Sequence, residues 1–373
     1  MRITGAKVFD LEGGFAERDL VFDGEVISGA EAGDGRVYDA AGCYVIPGLT
    51  DLHFHGCMGA DFSDADAAGL ETMAKYELSR GVTQICPAGM TLPEEQLLKV
   101  CSVAAAHRDS RAAGAELVGI NLEGPFLSMA KKGAQNGEWL HRPDAAMFRR
   151  LAEAGRGLVK LVSIAPEEPG AMEFIDELHG EAVISIAHTT ADYDTAMEAY
   201  RRGAREATHL FNAMPPFSHR APGVVGAAFD SPDVKVELIC DGVHIHPSVV
   251  RAVFKLFGPE RVVLISDTMR AAGMPDGDYT LGGQDVKVTG KLATLADGTI
   301  AGSVTDLMNC MRTAVSFGIP LHDAVRAAAV NPAKVLGIFG RVGSLDVGKA
   351  ANAAVLDAEL NLRAVFFRGE QVV

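Results

Sequence analysis

Tyr44-Val-Ile-Pro-Gly-Leu-Thr-Asp-Leu-His-Phe-His55 is an apolar, strand-like run that ends in two histidines. Seven comparable runs follow it: Thr83–Pro87, Leu117–Glu123, Val159–Ala165, Ala182–His188, Glu206–Asn212, Val234–His244 and Val262–Asp267. Helical stretches separate them, and regular alternation of strand and helix implies βαβ units and a parallel sheet. One helix is expected from about Asp192 to Arg202, with Tyr193, Ala196 and Tyr200 on its buried face and Gly203 as its stop. Eight strand–helix repeats in roughly 300 residues fit a closed (β/α)8, TIM-like barrel. An open doubly wound sheet is the structural alternative, but no Gly-x-Gly-x-x-Gly turn follows the first run.

The two chain ends have a different texture. Ile3, Val8, Leu20-Val21 and Val26-Ile27 are short apolar pieces set between Gly13-Gly14 and Asp23-Gly24 turns. Ala353–Leu356, Ala364–Phe367 and Gln371–Val373 repeat that pattern. Both read as short antiparallel strands, so residues 1–47 and 345–373 are expected to form one small β-sandwich domain. Residues 48–344 then make the α/β barrel. Between Gly273 and Gly302, strands Val286–Val288 and Lys291–Leu295 with the Asp297-Gly298 turn suggest a β-hairpin inserted after the last barrel strand. Residues 304–317 read as a helix whose Leu307, Met308, Met311 and Val315 serve the core.

Composition limits the partners. The chain has 373 residues, 48% of them hydrophobic, enough for a large core. With 34 Lys+Arg against 49 Asp+Glu the net charge is −15, which argues against nucleic acid or an anionic membrane. A few local groups can still bind a phosphate. No apolar run is long enough to span a bilayer, and the first ten residues do not read as a signal peptide. The six cysteines show no Cys-x-x-Cys pair, so reduced thiols and a cytoplasmic location are expected.

Chemistry is suggested by where the polar residues fall. His53, His55, Glu123, His188, His209 and Asp267 each sit at the C-terminal end of an expected barrel strand, the rim where barrel active sites are built. His53 and His55 are two residues apart and project from one face of a strand. A carboxylate at Glu123, after an apolar strand, must be paired or metal-bound unless a loop leaves it in water. Imidazole nitrogen with carboxylate oxygen suits zinc or iron, and the lack of nearby thiolates argues against a closed structural site. Asp267 is either a base beside an activated water or a helix cap that supports the ligands.

Pro47-Gly-Leu-Thr-Asp-Leu-His-Phe-His-Gly56 resembles the opening of the amidohydrolase superfamily. Leu122-Glu-Gly-Pro-Phe126, Lys131-Lys-Gly133, Ala207-Thr-His-Leu-Phe-Asn-Ala-Met-Pro215, Asp241-Gly-Val-His244 and Ser266-Asp267 resemble the N-acetylglucosamine-6-phosphate deacetylase family. The likeness covers nearly the whole chain, with Gly343–Lys349 leading into the last strands. It implies hydrolysis of the acetamide of N-acetylglucosamine 6-phosphate by an enzyme with one or two divalent ions, zinc or iron. By that resemblance Glu123, His188 and His209 hold the principal ion and Asp267 is the catalytic acid/base. Asn212, Ala213, Arg220, His244, Ala134, Ile300, Ala301 and Gly302 match sugar-phosphate-binding positions. The family is usually dimeric, at times tetrameric, with the phosphate-binding arginine supplied by the neighbouring subunit. Members that keep both His53 and His55 can hold a second ion. Gln135 stands where some members have a histidine that polarises the acetyl carbonyl; its amide donates a hydrogen bond but carries no proton. Another amidohydrolase activity, such as a cyclic amidase or nucleobase deaminase, and action on the galactosamine epimer are the alternatives.

Overall fold

A computed structural model describes residues 1–29 and 34–373; residues 30–33 of the expected small β domain lie outside the described residues. Eight strands form its centre: β1 (Leu49–Asp51), β2 (Val82–Ile85), β3 (Ile120–Phe126), β4 (Val159–Ile164), β5 (Val183–Ile186), β6 (Glu206–Ala207), β7 (Lys235–Ile239) and β8 (Val262–Ile265). Every residue of β1, β2, β3 and β8 is buried. That is the pattern of a parallel sheet covered on both faces. β1 pairs with β2, and β3 through β8 pair in sequence order, all parallel. Short bridges at Glu116–Leu117 and Ala88–Gly89 join β2 to β3. The ring closes where the Asp267 N–H donates to the His53 carbonyl at 2.9 Å and the His55 N–H to the Thr268 carbonyl at 2.7 Å. Closure therefore runs through the expected active-site residues themselves.

Helices cover the outside. Tyr193–Arg202 is one, capped by the Asp192 carboxylate, which accepts from the Thr195 N–H; Gly203 ends it, and Ala196, Ala199 and Tyr200 are buried. Tyr193 is only half-buried, because its hydroxyl reaches out to Asp230 at 2.8 Å. The last long helix is Leu307–Ser316, shorter than the expected 304–317 because Asp306 caps it through the Asn309 N–H.

The chain ends meet in one six-stranded sheet, in which Tyr44–Pro47 pairs with Ala353–Leu356 and with Lys7–Asp10. A four-stranded sheet of Arg2–Thr4, Leu20–Asp23, Val26–Ser28 and Val37–Asp39 packs beside it. Phe366 of the first sheet meets Phe22 and Tyr38 of the second edge-on, at 5.8 and 5.3 Å.

Several boundaries differ from those expected. The run Tyr44–His55 divides: Tyr44–Pro47 belongs to the end sheet, only Leu49–Asp51 to the barrel, and His53 and His55 lie beyond the strand. Pro47 has no N–H for a ladder, and Gly48 passes the chain between the layers, its own N–H bonded to Asn352. β6 stops at Ala207, so Thr208–Asn212 form turns, and β7 stops at Ile239 rather than His244. The insertion is three-stranded, Gly277–Leu281, Gln284–Thr289 and Leu292–Thr294, and the expected Asp297-Gly298 turn folds the chain back so that Ile300 bridges Thr294.

Candidate metal centre and active site

Glu123 is the hub of the barrel mouth. Its Oε1 lies 3.1 Å from His188 Nε2 and 3.0 Å from His209 Nε2, and those two nitrogens are 3.1 Å apart. On its other side, His55 Nε2 stands 3.3 Å from Oε2 and His53 Nε2 3.5 Å from Oε1. Two groups of three potential ligands thus share one carboxylate. All five residues are buried.

The hydrogen bonds behind these rings decide what the cluster can hold. His188 Nδ1 is 2.9 Å from the Lys131 carbonyl, His55 Nδ1 is 3.1 Å from the Ala88 carbonyl, and His53 Nδ1 is 2.8 Å from Glu237 Oε2. Each of these partners only accepts, so each Nδ1 carries a proton and Nε2 is the nitrogen that each ring turns toward Glu123; a neutral ring would present a lone pair there. Lone pairs facing carboxylate oxygens at these distances repel unless a cation lies among them. His53 Nε2 is buried without a hydrogen-bond partner. For bonds of about 2.0 Å, tetrahedral ligands stand about 3.3 Å apart, close to the spacing seen here. The donor set fits a divalent ion.

The electrostatics agree. Burial works against a charged His55, but hydrogen bonds to Asp267 and Glu123 outweigh it and push its pKa up to about 10. His53, equally buried, is raised well above its ordinary value by Glu237 and Glu123. Burial raises Glu123, yet the surrounding histidines hold it well below the usual carboxylate range. The protein alone therefore asks for positive charge at this spot.

Asp267 Oδ1 lies 3.2 Å from His55 Nε2 and 3.8 Å from His53 Nε2, so the carboxylate faces the same space as the ligands. His188, His209 and Asp267 have φ of 43°, 29° and 50°, a left-handed conformation uncommon outside glycine. Backbone bonds hold each in place: Ser128 N–H to the His188 carbonyl, Asn212 N–H to that of His209, and Ser303 N–H to that of Asp267. Strain held by its surroundings at three rim positions is a mark of a functional site.

Above the cluster opens a cavity of about 380 Å³ lined by His55, Glu123, His188, His209 and Asp267, and by Ala134, Gln135, Asn212, Ala213, His244, Ile300 and Gly302. Most of the expected site residues are thus brought together. His53 is sealed beneath the cavity. Ala301 is buried, its N–H bonded to Ala293 in the insertion, and it does not line the cavity. Arg220 does not line it either; it is exposed, with its guanidinium 2.6 Å from His219. Gln135 is oriented without ambiguity: the Thr91 N–H donates to its Oε1 at 2.7 Å, so its amide nitrogen donates to Glu123 Oε2 at 2.6 Å. His244 pairs with Asp241 at 2.8 Å; burial lowers its pKa, but the pairing prevails and raises it.

Three residues have a place in the site that the sequence did not assign them, two of them, Lys131 and Asp241, named only as parts of motifs. Lys131 lines the cavity, Asp241 supports His244, and Glu237 supports His53. Glu237 had one visible signal, a carboxylate in the middle of the apolar strand Lys235–Ile239.

Comparison with known proteins agrees with this geometry. The amidohydrolase family profile matches residues 44–372. The N-acetylglucosamine-6-phosphate deacetylase of Bacillus subtilis (strain 168) is 38% identical over 330 residues, covering 87% of this chain and 83% of its own. The N-acetylgalactosamine-6-phosphate deacetylase of Escherichia coli O157:H7 is 32% identical, covering 87% and 86%. Among solved structures, an aspartate-to-alanine mutant of N-acetyl-D-glucosamine-6-phosphate deacetylase from Mycobacterium smegmatis, in complex with N-acetyl-D-glucosamine-6-phosphate, superposes with a TM-score of 0.92. It is 35% identical and covers 100% of this chain and 99% of its own. The chain belongs to the amidohydrolase family and, within it, to the N-acetylglucosamine-6-phosphate deacetylases.

Proposed function

We propose that this chain hydrolyses the acetamide of N-acetyl-D-glucosamine 6-phosphate to D-glucosamine 6-phosphate and acetate. The observation that carries this reading is Asp267, a carboxylate 3.2 Å from His55 Nε2, facing a cavity whose floor is the ligand cluster. Glu123, His188 and His209 would hold the principal divalent ion, zinc or iron, and His53 with His55 a second. When bound, such an ion supplies Lewis acidity that activates a water and polarises an amide carbonyl.

The remaining work belongs to the protein. Asp267 accepts the proton of the attacking water, then delivers it to the departing nitrogen, which otherwise would leave as an unstable amide anion. Burial favours the neutral acid, but its hydrogen bond to His55 and the nearby histidine charge lower its pKa, so it stands ready as a base. Gln135 is close enough to the cavity floor to donate to the acetyl oxygen with its second amide hydrogen. Asn212, Ala213, Ala134, Ile300 and Gly302 shape the sugar subsite. His244, whose pKa Asp241 raises against the effect of burial, is a phosphate anchor within the subunit. Arg220 is the second anchor, and because it lies outside its own cavity we assign it to the cavity of a partner copy in a homodimer. Six unpaired cysteines suit a reducing compartment, the cytoplasm.

Acetate release tests the reading directly, with N-acetylglucosamine 6-phosphate, its galactosamine epimer and the free sugar compared on the purified enzyme. Release from the phosphorylated glucosamine substrate well above the others is expected. The N-acetylgalactosamine-6-phosphate deacetylase at 32% identity makes the epimer the second reading. Preference for it would replace the first, and no release from either would defeat both.

A further inference from the structure

Glu237 projects from the middle of β7 into the barrel, below the ligand cluster, and is wholly buried. Its Oε2 accepts two hydrogen bonds. One comes from the ring Nδ1–H of His53 at 2.8 Å, the other from the backbone N–H of His209 at 3.1 Å. Its Oε1 has no partner. A single carboxylate oxygen therefore touches both groups of ligands: a ring in the His53–His55–Glu123 group and the backbone of the Glu123–His188–His209 group.

The two contacts are not equivalent. The backbone of His209 is also held by the Asn212 turn and by the Asn212 side chain, both of which bond the His209 carbonyl. The ring of His53 has Glu237 alone behind it, and its Nε2 has no hydrogen-bond partner. Without Glu237 the imidazole loses both the bond that fixes its tautomer and the negative charge that strengthens its Nε2 as a donor.

We infer that Glu237 is the positioning residue that sets whether the His53–His55 half of the centre holds an ion, independently of the Glu123–His188–His209 half. The inference rests on the two-ion form of the proposed centre.

Metal content distinguishes it from the activity reading. Purified enzyme is dialysed against graded chelator, and the zinc and iron retained per chain are counted by elemental analysis. The parent should lose metal in two steps. Glu237→Gln, which keeps an acceptor but removes the charge, should lose the weaker ion at roughly tenfold lower chelator strength, and Glu237→Ala at up to about a hundredfold lower. The tighter ion should leave both variants at the parent's chelator strength. A residue needed only for folding would lower thermal stability without separating the two steps. One ion in the parent, two unchanged steps in Glu237→Gln, or loss of both ions together would each overturn the inference. If Glu237→Ala does not fold, the isosteric Glu237→Gln decides alone. Acetate release by the parent tests the deacetylase reading separately, so the two can fail apart.

Discussion

Asp267 is held at φ 50° with its N–H bonded to His53 and its carbonyl to Ser303, so its side chain can be changed without releasing the backbone. Asparagine has the same shape and tolerates a left-handed backbone. Asp267→Asn should therefore fold, bind metal and lose at least about 100-fold in turnover, the scale of general acid–base catalysis. Near-parental turnover in metal-replete protein would take Asp267 out of the mechanism. Glu123 makes a different demand, since it faces four histidines and also anchors Gln135. Glu123→Ala should give folded protein almost free of metal, and elemental analysis showing parental content would mean the ligand set is wrong. His53, His55, Glu123, His188, His209 and Asp267 were all legible because each polar residue ends or interrupts an apolar run. Glu237 interrupts an apolar run too, but its role was not legible, since its partner His53 lies 184 residues away in the chain and no local pattern marks such a pairing.

At the scale of elements, hydrophobic runs located the barrel strands but not the layer each belongs to. Tyr44–His55 reads as one strand because both layers bury their strands equally, and the switch at Gly48 has no periodicity to mark it. Gly277–Leu281 was missed for the opposite reason: only Leu281 of its five residues is buried, so no alternation appears. Gly48 also shows how tightly the layers meet. A Cβ there would lie 2.1 Å from Thr83 Oγ1, 2.5 Å from its Cγ2 and 2.8 Å from its Cβ, on the neighbouring strand β2. Thr83 is fully buried and has nowhere to go. Gly48→Ala should cost about 1–3 kcal/mol, measured by urea unfolding, as overpacked cores generally do. Because the two sites touch, Gly48→Ala combined with Thr83→Ala should recover about half of that loss. Additive losses would show that the strain lies in the Gly48 backbone rather than in the contact.

The whole molecule raises the question of what completes the cavity. Arg220 sits on an exposed loop outside its own cavity, and Phe217, three residues before it, lines an apolar groove of about 550 Å³ with Phe211, Met214, Ile245, Val249 and Leu256. Phe217 is 50% and Leu256 41% exposed, a large apolar surface to leave in water next to a catalytic rim. A second copy docked there would cover the groove and carry Arg220 across to the neighbouring cavity. Phe217→Asp should then shift the enzyme toward monomers in sedimentation. It should also raise KM for the sugar phosphate about ten- to a hundredfold, the worth of a lost charge-assisted bond. Arg220→Met should produce the same kinetic loss while remaining a dimer and sparing the free sugar. The decisive experiment mixes two defective proteins, Arg220→Met and Asp267→Asn, under conditions where subunits exchange. In a mixed dimer, the cavity that keeps Asp267 receives Arg220 from the other chain, so roughly a quarter of all sites become whole. Activity on the sugar phosphate should reappear in that proportion. If Arg220 serves its own chain instead, every site in the mixture lacks one of the two residues, and mixing restores nothing.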